Sequence, residues 1–124
     1  MPNLKEYKMF INGQWVDSES KKTFETLNPE NNEPWAKVPE ASAKDVNNAV
    51  EAAQKAFEGE WPKLFPRERA NYLRAIANQL RENAEMLGKI ETIDTGKLFR
   101  ETKTQANNIE EYYDYFAGLA DKVE

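Results

Sequence analysis

The order of its elements predicts an α+β protein: two β-hairpins over residues 1–41, then about four helices over residues 42–124. Three observations carry this. Asn12-Gly13 stands between two β-prone runs, the apolar period then changes from two to about 3.6 near Ser42, and no helical pattern precedes that change.

The first hairpin joins Lys8-Met9-Phe10-Ile11 to Gln14-Trp15-Val16. Asn-Gly suits this turn because both of its central residues need positive φ. The second joins Thr23-Phe24-Glu25-Thr26-Leu27 to Trp35-Ala36-Lys37-Val38 across the turn formers Asn28 to Glu33. Ser42 stands three residues before Asp45, which predicts a capping box at the first helix. Val46, Val50, Ala53 and Phe57 recur at helical spacing, and Gly59 ends that helix. Pro66 suits the first turn of the second helix, whose stripe is Leu73, Ile76, Ala77 and Leu80. Asn83 is expected to cap a short third helix through Met86, Leu87 and Ile90, stopped at Thr95-Gly96. A last helix carries Ile109, Tyr112, Tyr113, Phe116, Leu119 and Val123.

Two hairpins make a poor sheet for four helices to cover, since isolated hairpins are marginal in water. The last helix is aromatic on more than one side, through Tyr112, Tyr113, Tyr115 and Phe116. Such a helix has neighbours on several faces, so the chain reads as a piece of something larger.

Composition narrows the function. The chain has 124 residues, enough for one small core. Hydrophobic residues make up 40% and charged residues 31%, as in globular proteins. Lysine and arginine total 17 against 22 acidic residues, a net charge of −5 with no basic cluster, so nucleic-acid binding is not expected. There is no cysteine and no histidine. Disulfides, thiolate metal sites and Ser-His or Cys-His nucleophiles are thereby excluded within these residues. No apolar run reaches the roughly 18 residues of a membrane helix, and the N-terminus lacks the apolar region of a signal peptide. A cytoplasmic protein with no membrane partner is the expectation.

Several local features have plain readings. Thr95-Gly96-Lys97 is no phosphate loop, because Glu91 stands where the first glycine belongs and Leu98 follows the lysine. Gly96 reads instead as a helix C′ residue. Glu110, Glu111 and Asp114 read as a solvated acidic face rather than an acid–base or metal cluster. Trp15, Trp35 and Trp61 read as separate packing anchors. Arg67 and Arg69, around Glu68, read as surface or inter-helix ion-pair partners.

Five stretches, in order, resemble the N-terminal segment of the NAD(P)-dependent aldehyde dehydrogenase superfamily. They are FINGQWV at 10–16, TFETLNPENNEPWAKVPEAS at 23–42, the helical run from Lys44 to Leu80, ETIDTGK at 91–97, and YFAGLADKVE at 115–124. Two departures stand out. Asn32 takes the glycine place of the family's Asn-Pro turn, which asparagine's tolerance of left-handed backbone permits. Leu98 replaces the proline that usually follows the family's Asp-x-Gly-Lys.

The resemblance implies that residues 1–124 are the N-terminal part of a cofactor-binding domain, incomplete here, within an α/β parent that has a Rossmann-like fold. It places the catalytic cysteine, the glutamate base, the oxyanion asparagine and the dinucleotide loop downstream, so no catalytic or cofactor-binding residue is expected in this chain. NAD or NADP would serve the parent, and its partners would be the rest of the enzyme in a homo-oligomer, a dimer or tetramer. By the same resemblance the Leu27 carbonyl and the Asp94 carboxylate would help hold a monovalent cation, Na or K. Thr104, Asn108 and Glu111 would line the mouth of the substrate tunnel. The rival reading is a free-standing helical interaction module derived from such an enzyme, which would expose an unusually large apolar patch.

Overall fold

In the computed structural model, residues 4–120 and 122 are described. The Val123 position of the last predicted stripe lies outside them. The chain divides into two compact units, residues 1–62 and 63–124.

The first unit holds five strands and one helix. Strands β1 (Lys5–Glu6), β5 (Glu33–Pro39) and β4 (Thr23–Asn28) form a three-stranded sheet in that order. β4 and β5 are antiparallel, with a register irregularity between Thr26 and Leu27. β1 runs parallel to β5, with Lys5 opposite Ala36. β1 has no counterpart in the sequence reading, because a two-residue strand formed by long-range pairing leaves no periodic pattern. Strands β2 (Met9–Ile11) and β3 (Gln14–Val16) make the predicted Asn-Gly hairpin, with Asn12 at φ 51° and Gly13 at φ 75°. Asn32 sits at φ 60°, so the residue in the glycine place does adopt the left-handed conformation.

Helix α1 (Ala43–Glu58) begins with the expected capping box. The Asp45 carboxylate accepts the Ser42 N–H at 2.8 Å, and Ser42 Oγ accepts the Asp45 N–H at 3.2 Å. The same carboxylate accepts the Glu19 N–H at 3.2 Å, tying the loop after β3 to the helix start. The Ser42 amide, foremost among these donors, holds the Asp45 carboxyl below its ordinary range. A depressed carboxyl contributes stability above its unfolded pKa and loses it as pH falls through the folded value. We therefore expect acid unfolding below about pH 4 to be less steep in Asp45→Asn than in the parent chain. Circular dichroism across an acid titration measures this; identical slopes would remove Asp45 from the account.

The second unit is a helical hairpin. Helix α2 runs unbroken from Pro66 to Thr95, and α3 from Phe99 to Leu119. Pro66 opens α2, where Glu68 accepts the Phe65 N–H at 2.7 Å. The α+β class stands, but the helices number three among the described residues, not four. The second and third predicted helices are one. No proline or glycine separates Leu80 from Leu87, and Arg81, Glu82, Ala84 and Glu85 sustain a helix there. Asn83 caps nothing: its side-chain amide donates to the Gln79 carbonyl at 2.8 Å, inside α2. The helix stops where predicted, at Gly96, with φ 74° and its N–H on the Thr92 carbonyl at 2.9 Å.

The seam between α2 and α3 is built from small residues. Ala70, Ala77, Ala84 and Gly88 are buried on α2, and Thr102 and Ala117 on α3. Gly88 brings α3 close: a Cβ there would stand 2.9 Å from Lys103 Cα. Thr102 is fully buried; its hydroxyl lies 2.9 Å from the Gly88 carbonyl and 2.8 Å from Thr92 Oγ1. Arg81 pairs with Glu110 and, at 3.5 Å, with Asp114.

This seam differs from the expected stripe. Of Leu73, Ile76, Ala77 and Leu80, only Ala77 is buried. The α1 stripe is likewise uncovered, with Val50 62% and Phe57 66% exposed. Among the described residues the buried apolar side chains are all alanines, and the largest fully buried side chain is Thr102. The whole chain exposes 9697 Å². A compact monomer of its 14.3 kDa would expose about 6,800 Å², and two separate globules of half that mass about 8,200 Å² together. The excess is therefore at least about 1,500 Å². Large apolar side chains are present at the expected positions, and many of them stand exposed.

Candidate functional site

The tunnel-mouth positions fall on one face of α3. Thr104, Asn108 and Glu111 follow at spacings of four and three, so their side chains line up along the helix. All three are exposed. Asn108 and Glu111 join Tyr112, Tyr115 and Phe116 around an open groove of about 600 Å³. Thr104 lies a turn earlier, outside that lining, and its hydroxyl donates to the Arg100 carbonyl at 2.7 Å. The Tyr115 and Phe116 rings meet edge to face, 5.4 Å apart at 80°. The groove is thus aromatic with two polar side chains on its rim. It can bind and orient an apolar or aromatic group, and it holds no histidine or cysteine to react with one.

The acidic cluster divides in two. Glu110 and Asp114 face Arg81 and tie α3 to α2, while Glu111 faces the groove. This corrects the reading of all three as a solvated face. Among the described residues no group of three or more His, Cys, Asp or Glu side chains could hold a metal.

The two cation-ligand positions belong to different units. Leu27 lies in β4 at the register irregularity, opposite Pro34, which has no N–H to give across the ladder. The turn that follows is well formed: the Asn32 N–H reaches the Asn28 carbonyl at 2.7 Å, and Asn28 Oδ1 accepts the Glu30 N–H at 3.0 Å. Asp94 is exposed in the last turn of α2, two residues before Gly96. Lys97 folds back onto Glu91 at 2.6 Å, engaged in an ion pair within its own segment. Of the five glycines, Gly13 is in a hairpin, Gly59 and Gly96 follow helices, and Gly88 and Gly118 are inside them. None stands at the strand-to-helix turn that a dinucleotide pyrophosphate requires, so these residues do not fit that group.

Other sequence-marked residues have structural roles. Trp15 is 67% exposed and meets Phe10 in ring contact at 5.0 Å. Trp35 meets Tyr7 edge to face at 6.1 Å. Arg69 donates to the Leu64 carbonyl at 2.6 Å. The sequence reading missed Gly88, Thr102 and Arg81. The seven-residue spacing of Ala70, Ala77 and Ala84 was the available signal for that seam.

No helix among the described residues is long and apolar enough to cross a membrane. In chain order, a long helical hairpin follows a small sheet and a hairpin. The model of the aldehyde dehydrogenase family matches residues 15–124. This chain belongs to the aldehyde dehydrogenase family, as an N-terminal segment of its fold.

The chain is 41% identical over 122 residues to (Z)-2-((N-methylformamido)methylene)-5-hydroxybutyrolactone dehydrogenase of Acinetobacter baylyi, covering 98% of itself and 25% of that protein. It resembles an NAD-dependent aldehyde dehydrogenase of Sinorhizobium meliloti with a TM-score of 0.93 at 32% identity, covering 98% of itself and 25% of that chain. It also resembles the betaine aldehyde dehydrogenase of Staphylococcus aureus in complex with NAD+, with a TM-score of 0.90 at 40% identity, covering 94% of itself and 23% of that chain. The chain thus spans about a quarter of the length of the relatives it matches.

Proposed function

We propose that this chain serves as the N-terminal scaffold of an NAD(P)-dependent aldehyde dehydrogenase, an oxidoreductase that converts an aldehyde to a carboxylic acid. The family match over residues 15–124 is the observation that carries the reading. In the parent, a nicotinamide dinucleotide accepts hydride when bound. This chain's residues bind and orient. Asn108 and Glu111, with Tyr112, Tyr115 and Phe116, guide the aldehyde's substituent at the tunnel mouth, and Thr104 extends that face by a turn. The Leu27 carbonyl and the Asp94 carboxylate supply hard oxygen donors to a sodium or potassium ion, completed by residues outside the chain. Residues 1–124 form part of the cofactor-binding domain, and the parent is a cytoplasmic homo-oligomer, a dimer or tetramer, using NAD or NADP.

The exposed apolar faces support this role, because they need a larger body to cover them. The test is a chimera in which this chain replaces the matching quarter of a relative. We expect NAD reduction with aldehyde to be restored to within about tenfold of the relative. In that chimera, Asn108→Ala and Glu111→Ala should raise KM severalfold and leave kcat nearly unchanged, as loss of uniform binding does. A soluble, folded chimera without turnover would sink the proposal.

A further inference from the structure

The Asn12-Gly13 turn joins the two residue types that make a side-chain amide labile. The side chain of an asparagine can be attacked by the main-chain nitrogen of the next residue, and only Asn12 in this chain is followed by glycine. Glycine leaves that nitrogen unscreened and lets the backbone swing to meet the amide. Ile11 and Gln14 close the β2–β3 ladder, so the Gly13 nitrogen stands outside it. A Cβ added at Gly13 would meet nothing within 4 Å among the described residues, so packing does not hinder rotation there. A cleft of about 170 Å³ beside Asn12, lined by Ile11, Asn48, Glu51, Ala52 and Lys55, has room for water.

The other described asparagines are held away from this chemistry. Asn47 and Asn48 lie inside α1, Asn71, Asn78 and Asn83 inside α2, and Asn107 and Asn108 inside α3. There the next nitrogen donates to the carbonyl four residues back, and the helix fixes the backbone angles. Asn28 precedes Pro29, whose nitrogen carries no proton. The nitrogen that could attack Asn31 is that of Asn32, and its N–H is engaged by the Asn28 carbonyl at 2.7 Å. The one that could attack Asn32 is that of Glu33, and its N–H is engaged by Asn31 Oδ1 at 3.0 Å. Asn3 lies outside the described residues and precedes leucine.

We propose that Asn12 is a site of spontaneous covalent modification, losing its side-chain amide to water through a ring formed with Gly13. The Gly13 nitrogen bonds to Asn12 Cγ and the Cγ–Nδ2 bond breaks. The Gly13 amide proton leaves with the side-chain NH2 as ammonia. Water then opens the five-membered imide. Entry at the side-chain carbonyl gives aspartate at position 12, and entry at the main-chain carbonyl gives isoaspartate. The products differ in consequence. Asp-Gly suits the same turn. Isoaspartate routes the main chain through the side-chain carbons and adds one atom to the turn, whose length sets Phe10 opposite Trp15. Those rings meet at 5.0 Å, so their contact reports the register. The proposal does not depend on the enzymatic reading.

The test is incubation of the 124-residue chain near neutral pH, with fragment masses mapping every asparagine over time. Position 12 should exchange amide for acid first, and faster as pH rises, because the attacking nitrogen must lose its proton. Its rate should lie within about tenfold of that of an unstructured peptide of residues 8–17, since a two-stranded hairpin opens cheaply. After the products are separated, proton NMR should find the Phe10–Trp15 contact kept in the aspartyl form and in Asn12→Asp, and lost in the isoaspartyl form. Amide loss first at another asparagine, or a rate more than about tenfold below the peptide's, would overturn the proposal. So would a ring contact kept in the isoaspartyl form or lost in Asn12→Asp.

Discussion

Replacing Gly88 with valine should drive α3 off α2 and cost about 3 kcal/mol or more, a large share of the stability of any small domain. The argument is geometric. A Cβ at Gly88 would lie 2.9 Å from both Cα and N of Lys103 and 3.3 Å from its Cβ. These are mainly backbone atoms, so relief requires moving a helix rather than turning a side chain. Thr102 would move with it, losing the hydroxyl contacts that join the seam at Gly88 and Thr92. Gly88→Ala is the milder case. Alanine gains up to about 1 kcal/mol in helix propensity, offset by an overpacking cost of about 1–3 kcal/mol, so a net loss of up to about 2 kcal/mol is expected. Gly118 is the internal control. It also lies within a helix, α3, but an added Cβ there meets nothing within 4 Å. Gly118→Ala should therefore stabilise by up to about 1 kcal/mol. Urea midpoints of helicity rank the three. If Gly88→Ala and Gly118→Ala stabilise alike, the close approach of the helices is wrong.

The second large effect is all-or-none: the 124-residue chain by itself should oxidise no aldehyde with NAD or NADP. Hydride leaves an aldehyde carbon readily only from a tetrahedral adduct, and a thiolate is the best nucleophile to form one. The chain has no cysteine. A serine would need a base to activate it, and there is no histidine. A lysine could form a Schiff base if desolvated, but no lysine is buried. The assay is absorbance of reduced nicotinamide with aliphatic and aromatic aldehydes. Turnover that survives rigorous purification and disappears with one substitution in this chain would contradict the expectation.

How far the sequence discloses this molecule depends on the range of the interactions concerned. The Asn12-Gly13 turn, the Ser42–Asp45 capping box, the opening of α2 at Pro66 and its stop at Gly96 each rest on neighbouring residues. All were legible. Strand β1 was not, because its pairing with β5 spans some thirty residues and leaves only two residues of strand. The break expected at Asn83 came from treating a capping residue as a boundary, where its amide is satisfied inside the helix by Gln79. The α2–α3 seam was hidden for a different reason. A search for large apolar stripes finds Leu73, Ile76 and Leu80, whereas close helix approach is made by alanine and glycine. The large stripes are present, but in this structure they stand largely exposed. Of the groove on α3, the positions came by resemblance, and the structure adds that Asn108 and Glu111 share it with three aromatic rings while Thr104 does not line it.

The account's central claim is that this chain's apolar faces belong to a larger core, and amide hydrogen exchange tests it most directly. The informative regions are α1 and the β2–β3 hairpin, whose Val50, Phe57, Phe10 and Trp15 stand exposed. Exchange there is read once in the 124-residue chain and once in the family-length chimera. The account predicts weak protection in the chain alone, rising at least about 100-fold in the chimera, because local opening becomes costly once those faces are covered. Equal protection in both, together with a sharp cooperative thermal transition of the chain alone, would contradict it.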